Sequence, residues 1–173
     1  MDDDEEIISG PRLKEVRHAV IGLLNELKVS EPPIDLNHIY HHFQKTLDVT
    51  IKGSDDLSDK VDAATKPIGR QVFIVFNNSK SVVRKRFSVA HELGHLHMGH
   101  VHGNSSIDLG STNFDEQEAN HFAANLLMPP TMLRKDIKSG MKDVDNLAKR
   151  YNVSTEAMWW QIDKSGLLNS LSR

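Results

Sequence analysis

Five of the ten histidines in this 173-residue chain fall between positions 91 and 102, and the first two belong to the run HELGH, residues 91 to 95. His91 and His95 are four residues apart, so on a helix their rings share one face about a turn apart, close enough to bind one ion. Glu92 sits beside the first ring, angled to reach a water on such an ion rather than the ion itself. These are the parts of a zinc hydrolase. Two neutral imidazoles hold Zn2+, the ion lowers the pKa of its water, and the carboxylate takes the proton. Gly94 leaves space for a substrate backbone or a neighbouring strand to approach. The competing reading is a half-exposed helix of a His-rich chain, and the motif alone does not choose between them.

A catalytic zinc takes a third protein ligand and keeps a fourth position for water. With no cysteine in the chain, that ligand is His, Asp or Glu. The stretch DEQEANHFAANLLM, 115 to 128, is an apolar helix that opens on carboxylates. Ala119, Phe122, Ala123, Leu126 and Leu127 mark its buried side. Glu116 lies roughly 50° from the centre of that stripe and Glu118 roughly 110°. A buried carboxylate is costly unless something compensates it, as a metal does. The phase therefore favours Glu116 as ligand and leaves Glu118 as the alternative, read as a solvated first-turn residue suited to the helix dipole. His97, His100 and His102 read as a polar end to the first helix rather than a second metal site. His121, Tyr40, Arg86 and Tyr151 are candidates to reach the cleft and stabilise an oxyanion, with nothing to choose among them.

These residues need a scaffold. Leu13, Val16, Val20, Leu23, Leu24 and Leu27 recur at helical spacing, and SEPPID ends that helix because paired prolines remove donors. A second helix carries Leu36, Ile39, Phe43 and Leu47, with His38, His41 and His42 around its solvated surface. DVTIK (48–52) is a candidate strand, and QVFIVFNN (71–78), β-branched and aromatic, is a stronger one. The polar segment between them reads as a loop with at most a short strand. The HELGH helix starts near SVVRKRF and ends near Gly99. A loop, HGNSSIDLGSTN, precedes the second carboxylate-bearing helix, which stops at Pro129–Pro130. The pattern predicts an α+β chain, mostly helical with a small β-sheet.

Composition is that of a soluble globular protein, and the net charge of -3 gives no reason to expect a polyanion over the whole surface. The opening MDDDEEIISG is acidic where a secretory signal is basic, and no apolar run reaches membrane-spanning length. Expected, then, is a cytoplasmic, membrane-free chain with an unstructured acidic tail over residues 1–10.

Taken in order, PPIDL, GRQVFIVFNN, RFSVAHELGHLHMGH, DEQEANHFAANLLMP and LAKRYNVSTEAMWWQIDKSGLL resemble the successive landmarks of the ImmA/IrrE-type metallopeptidases. The resemblance implies a zincin-like domain with a gluzincin-like site, one Zn2+ per chain, and a carboxylate ligand from the E-x-x-A-N stretch, which maps onto Glu116. It also implies a protein partner, since members commonly cleave helix-turn-helix repressors encoded beside them in mobile elements or stress responses. Ser88, where Thr is frequent, and the paired Trp159 and Trp160 depart from the pattern without touching the zinc residues.

The tail reads as helix, turn, helix: Leu147, Ala148 and Tyr151 face Ala157, Met158 and Ile162 across NVS, with Ser154 as N-cap. Residues 134 to 164 hold seven Lys/Arg against five Asp/Glu. That surplus is small for duplex binding, so packing or partner docking is favoured over nucleic-acid contact. The expectation is a zinc metallopeptidase domain over 11–138 and a short helix-turn-helix-like C-terminal segment over 139–173. In it His91, His95 and Glu116 bind zinc and Glu92 is the catalytic base of an endopeptidase with narrow protein specificity. The rivals are a repressor- or DNA-binding regulator with a structural metal, and a protease toxin.

Overall fold

The computed structural model describes residues 10–100 and 113–171. The acidic tail up to residue 9, His102 and nearly all of the loop after His100 lie outside the described residues. Helix α1 (Leu13–Glu26) buries Val16, Val20, Leu23 and Leu24. Helix α2 (Leu36–Phe43) is capped by Asp35, whose carboxylate accepts from the Asn37 amide, and buries Ile39 and Phe43. His38 and His41 are exposed on it, as the sequence suggests.

Three strands follow: β1 (Asp48–Ser54), β2 (Ala63–Ile68) and β3 (Gln71–Asn77). β3 is central, parallel to β1 and antiparallel to β2. β2 is the short strand that the sequence allows at most within an expected loop, six residues long. AATKPI alternates weakly and contains Pro67, which a strand tolerates at a sheet edge, where no second neighbour needs its N–H. The fold class stands: a mostly helical α+β chain with a small sheet.

Helix α3 (Val82–His97) begins at Ser81, whose hydroxyl caps the Arg84 amide, and lies on β2 and β3. Helix α4 (Asn113–Leu127) packs along it and against α1. Helix α5 (Pro130–Lys138) starts at the proline that ends its predecessor, since Pro suits a helix's first turn. Helices α6 (Val144–Tyr151) and α7 (Thr155–Lys164) are joined across the left-handed Asn152, with Ser154 as the N-cap of α7, and a short α8 (Leu168–Leu171) closes the described chain. Tyr151, Met158 and Ile162 belong to the same buried cluster as Leu93 and Phe122. Trp159 and Trp160 stay 48% and 37% exposed. No described helix is long and apolar enough to cross a membrane.

The α3–α4 contact is the tight one. A Cβ on Gly94 would lie 3.0 Å from Phe122 Cβ and 3.1 Å from its Cγ. The space at Gly94 is thus filled by α4 and not, as the sequence suggests, by substrate or a strand. Gly94→Ala gains roughly 1 kcal/mol of helix propensity. Overpacking a fully buried Phe, through a Cβ fixed to α4's own backbone, costs about 1–3 kcal/mol and wins. Gly94→Ala is therefore expected to lower the melting temperature, whereas Gly22→Ala, on the exposed side of α1 with open space around it, raises it. Equal melting temperatures for Gly94→Ala and wild type would show that the helices have room to part.

Candidate metal centre

One turn of α3 carries His91 and His95 to the α4 face, and the first turn of α4 carries Glu116 to meet them. His91 Nε2 and His95 Nε2 are 3.0 Å apart, and each is 3.3 Å from a different oxygen of Glu116. Four-coordinate zinc with bonds of about 2.0–2.1 Å sets its ligand atoms about 3.3 Å apart, so the three donors are spaced for one ion. Their outer hydrogen bonds agree. His91 Nδ1 is 2.9 Å from Asn120 Oδ1, which can only accept, so its Nε2 carries the lone pair. Two lone pairs aimed at one point repel unless a cation lies between them.

The electrostatics of the two rings differ. Burial, with the His91 and His100 charges adding to it, holds His95 down at about 4. Burial also opposes protonation of His91, but the hydrogen bond that Glu116 accepts from it, the charges of Glu92 and Glu116 and the Asn120 oxygen outweigh it and raise His91. Glu92 is buried, and its Oε2 accepts a 2.6 Å hydrogen bond from Thr65 on β2. It lines the same 360 Å³ cavity as His91, His95 and Glu116. A second hollow of about 550 Å³ shares Phe87, Ser88 and Asn120 with that cavity and runs to Val153, Ala157 and Trp160.

Residues 38–159 match the IrrE N-terminal-like domain of the peptidase M78 family. The chain belongs to this family. The match supports a metallopeptidase-type function and takes in HELGH, Glu116 and Thr65. A solved structure described as a Mycobacterium tuberculosis transcriptional regulator has the same fold, with a TM-score of 0.63 at 16% identity. The similarity covers 84% of this chain but 45% of that one, so this M78 chain spans less than half of the regulator's length. No curated protein matches the sequence.

Several expectations change. Glu118 is not solvated: it is 2% exposed, while the Glu116 side chain is 45% exposed. An apolar stripe does not describe α4, which is buried over most of its circumference from Glu118 to Leu127. Glu118 bears burial because Arg12 grips both its oxygens and His100 meets it at 2.9 Å. His100 is likewise no mere polar helix end, its side chain being 3% exposed. His97 lies against Phe43 and Phe122.

None of the oxyanion candidates stands at the three donors. Tyr40 donates to the Val49 carbonyl, and Tyr151 donates to Asp136. Arg86 braces the carbonyls of Ile34 and Asn152, and His121 packs on Trp160. Thr65 is the contact that sequence reading missed, lying 27 residues from Glu92 on a strand that the sequence marks only weakly.

Glu118 yields a pH prediction. Desolvation would raise its pKa, but the Arg12 and His100 hydrogen bonds lower it to about 2, from an ordinary value of about 4.3. A depressed carboxyl stabilises the fold fully above the unfolded value and loses that contribution as pH falls through the folded one. Urea unfolding of metal-free protein should thus show stability falling between about pH 4.5 and 2, and Arg12→Ala should be weaker at neutral pH with a shallower fall. Parallel pH profiles would remove the Arg12–Glu118 pair from the account.

Proposed function

We propose that the chain is a cytoplasmic zinc endopeptidase with a narrow protein substrate, in which His91, His95 and Glu116 hold one Zn2+ and Glu92 is the general base. What carries the reading is three donors spaced for one ion at the wall of a cavity, with a second carboxylate, Glu92, buried beside them. Two imidazoles and a carboxylate, in a chain without thiolates, are a donor set that catalytic zinc uses. When bound, zinc supplies an acidified water and a polarised scissile carbonyl.

The rest falls to the chain. Thr65 fixes Glu92 Oε2, so that the carboxylate takes the proton of the attacking water and passes it to the leaving amine. Asn120 orients His91. In this reading residues 11–138 carry the chemistry, and 139–173, with Trp159 and Trp160, contact the substrate along the hollow that leaves the site. The substrate we propose is a helix-turn-helix repressor. The resemblance to ImmA/IrrE-type enzymes supports that choice, and the description of the solved relative as a transcriptional regulator fits it.

Elemental analysis should find one zinc per chain, lost in His91→Ala and His95→Ala. Glu92→Gln should keep the metal and the melting temperature while cleavage falls at least about 100-fold, because an amide is a far weaker base. The readout is mass spectrometry of new N-termini after incubation with lysate of the source cells. Wild type should create a few, within a helix-turn-helix repressor, and the variant none. New termini elsewhere only would overturn the substrate. Cleavage by Glu92→Gln at the wild-type rate, with contaminating protease excluded, would overturn the mechanism and favour a regulator with a structural metal.

A further inference from the structure

A largely buried polar network sits behind the proposed zinc ligands. His95 Nδ1 is 3.0 Å from His100 Nδ1, and His100 Nε2 is 2.9 Å from Glu118 Oε2. Glu118 is held in turn by Arg12, whose backbone amide reaches Oε1 at 2.7 Å and whose Nη2 reaches Oε2 at 2.7 Å. The same Nη2 reaches the Met98 carbonyl at 3.2 Å. His95, His100 and Glu118 have side chains no more than 3% exposed.

The local chain geometry builds this contact. Gly99, at φ +75°, ends α3. The Gly99 amide bonds the Leu96 carbonyl at 3.3 Å and the His100 amide bonds the His95 carbonyl at 2.9 Å, the paired bonds of a Schellman turn. That turn lays the side chain two residues beyond the helix against the one three positions inside it. An apolar pair is usual there; here the pair is His100 and His95.

Donor and acceptor accounting then runs one way. A carboxylate only accepts, so His100 Nε2 carries the hydrogen shared with Glu118. The two hydrogens of Arg12 Nη2 go to Glu118 and Met98, so its 3.3 Å approach to His100 Nε2 needs none. With its Nε2 hydrogen on Glu118, the His100 ring turns Nδ1 to His95 as the acceptor, His95 Nδ1 donates to it, and the lone pair of His95 Nε2 points at His91 and Glu116. His100, Asp115 and Glu118 could also group around a cation of their own, but the Arg12 guanidinium already supplies a positive charge to Glu118.

We infer that Arg12, Glu118 and His100 form a positioning relay that sets the tautomer and orientation of His95 and so the affinity of the metal centre. The inference rests on the proposed zinc site. It makes that site depend on a residue ahead of α1, outside the segment matched to the family, and on how α1 docks against α4. Partners that orient a ligating histidine commonly contribute about 10–100-fold to metal affinity.

The test uses the full chain, with zinc affinity read by competition against a chromophoric chelator and the ligand field read from the visible spectrum of Co(II)-substituted protein. His100→Leu, which cannot accept from His95, is expected to weaken zinc about 10–100-fold and shift the Co(II) bands. His100→Gln, whose amide oxygen still accepts, keeps most of the affinity. Arg12→Lys falls between wild type and Arg12→Ala. Glu31→Gln, which breaks an exposed ion pair with Lys135 and Arg150, leaves both readouts unchanged. Melting of the metal-free proteins separates lost fold from lost relay. A folded His100→Leu with wild-type zinc affinity and an unshifted Co(II) spectrum overturns the inference, and so does His100→Gln as weak as His100→Leu. Failure of the wild-type chain to bind zinc overturns the proposed function instead.

Discussion

Helices α3 and α4 approach through a glycine, and the chemistry of the chain depends on that closeness. Gly94 lies between the two imidazole positions and faces Phe122, two turns along α4 from Glu116. With the backbones drawn together there, a short carboxylate-bearing side chain at the start of α4 spans the remaining gap to both rings at 3.3 Å. Protein interiors transmit such spacing rigidly, because packed side chains have little free volume to give. The sheet bears on the other side of α3 and delivers Thr65 to Glu92. One packing contact therefore sets the three donors, and one edge strand holds the Glu92 carboxylate.

Behind that contact lies a part-buried charge pair, a buried Glu118 carboxylate on a half-exposed Arg12, whose partners are 106 residues apart. Burying a carboxylate is unfavourable unless it is paired and hydrogen-bonded, and a buried pair adds less stability than its Coulomb attraction suggests. Its persistence is better explained by what it holds. Glu118 and Arg12 join the start of α1, the start of α4 and the end of α3 at the point where His100 meets His95. Stability and site geometry are served by the same atoms.

The sequence made much of this legible, though not always for the right reason. Ser81, HELGH and Gly99 mark the start, content and end of α3, and the helix occupies those bounds. Glu116 was singled out as the more buried carboxylate, yet it is the more exposed one. It meets the histidines because it faces the cleft between α3 and α4, a direction that an apolar stripe on α4 alone does not encode. Glu118 was misread because its compensation comes from Arg12, and no local pattern links positions 12 and 118. β2 is only weakly legible, as at most a short strand within a loop, because Lys66 and Pro67 break the alternation that strands ordinarily show. His100 was within reach: a glycine just past a helix end folds the next side chain back, and HLHMGH contains that signal.

The M78 family membership and the spacing of the three donors converge on a metal-dependent peptidase, and the central claim is that His91, His95 and Glu116 share one ion. Anomalous scattering at the zinc edge, from crystals of the zinc-loaded chain, tests it most directly. The account predicts one strong peak about 2.0–2.1 Å from His91 Nε2, from His95 Nε2 and from a Glu116 oxygen. A peak among His100, Asp115 and Glu118 instead, or none near α3, would contradict it.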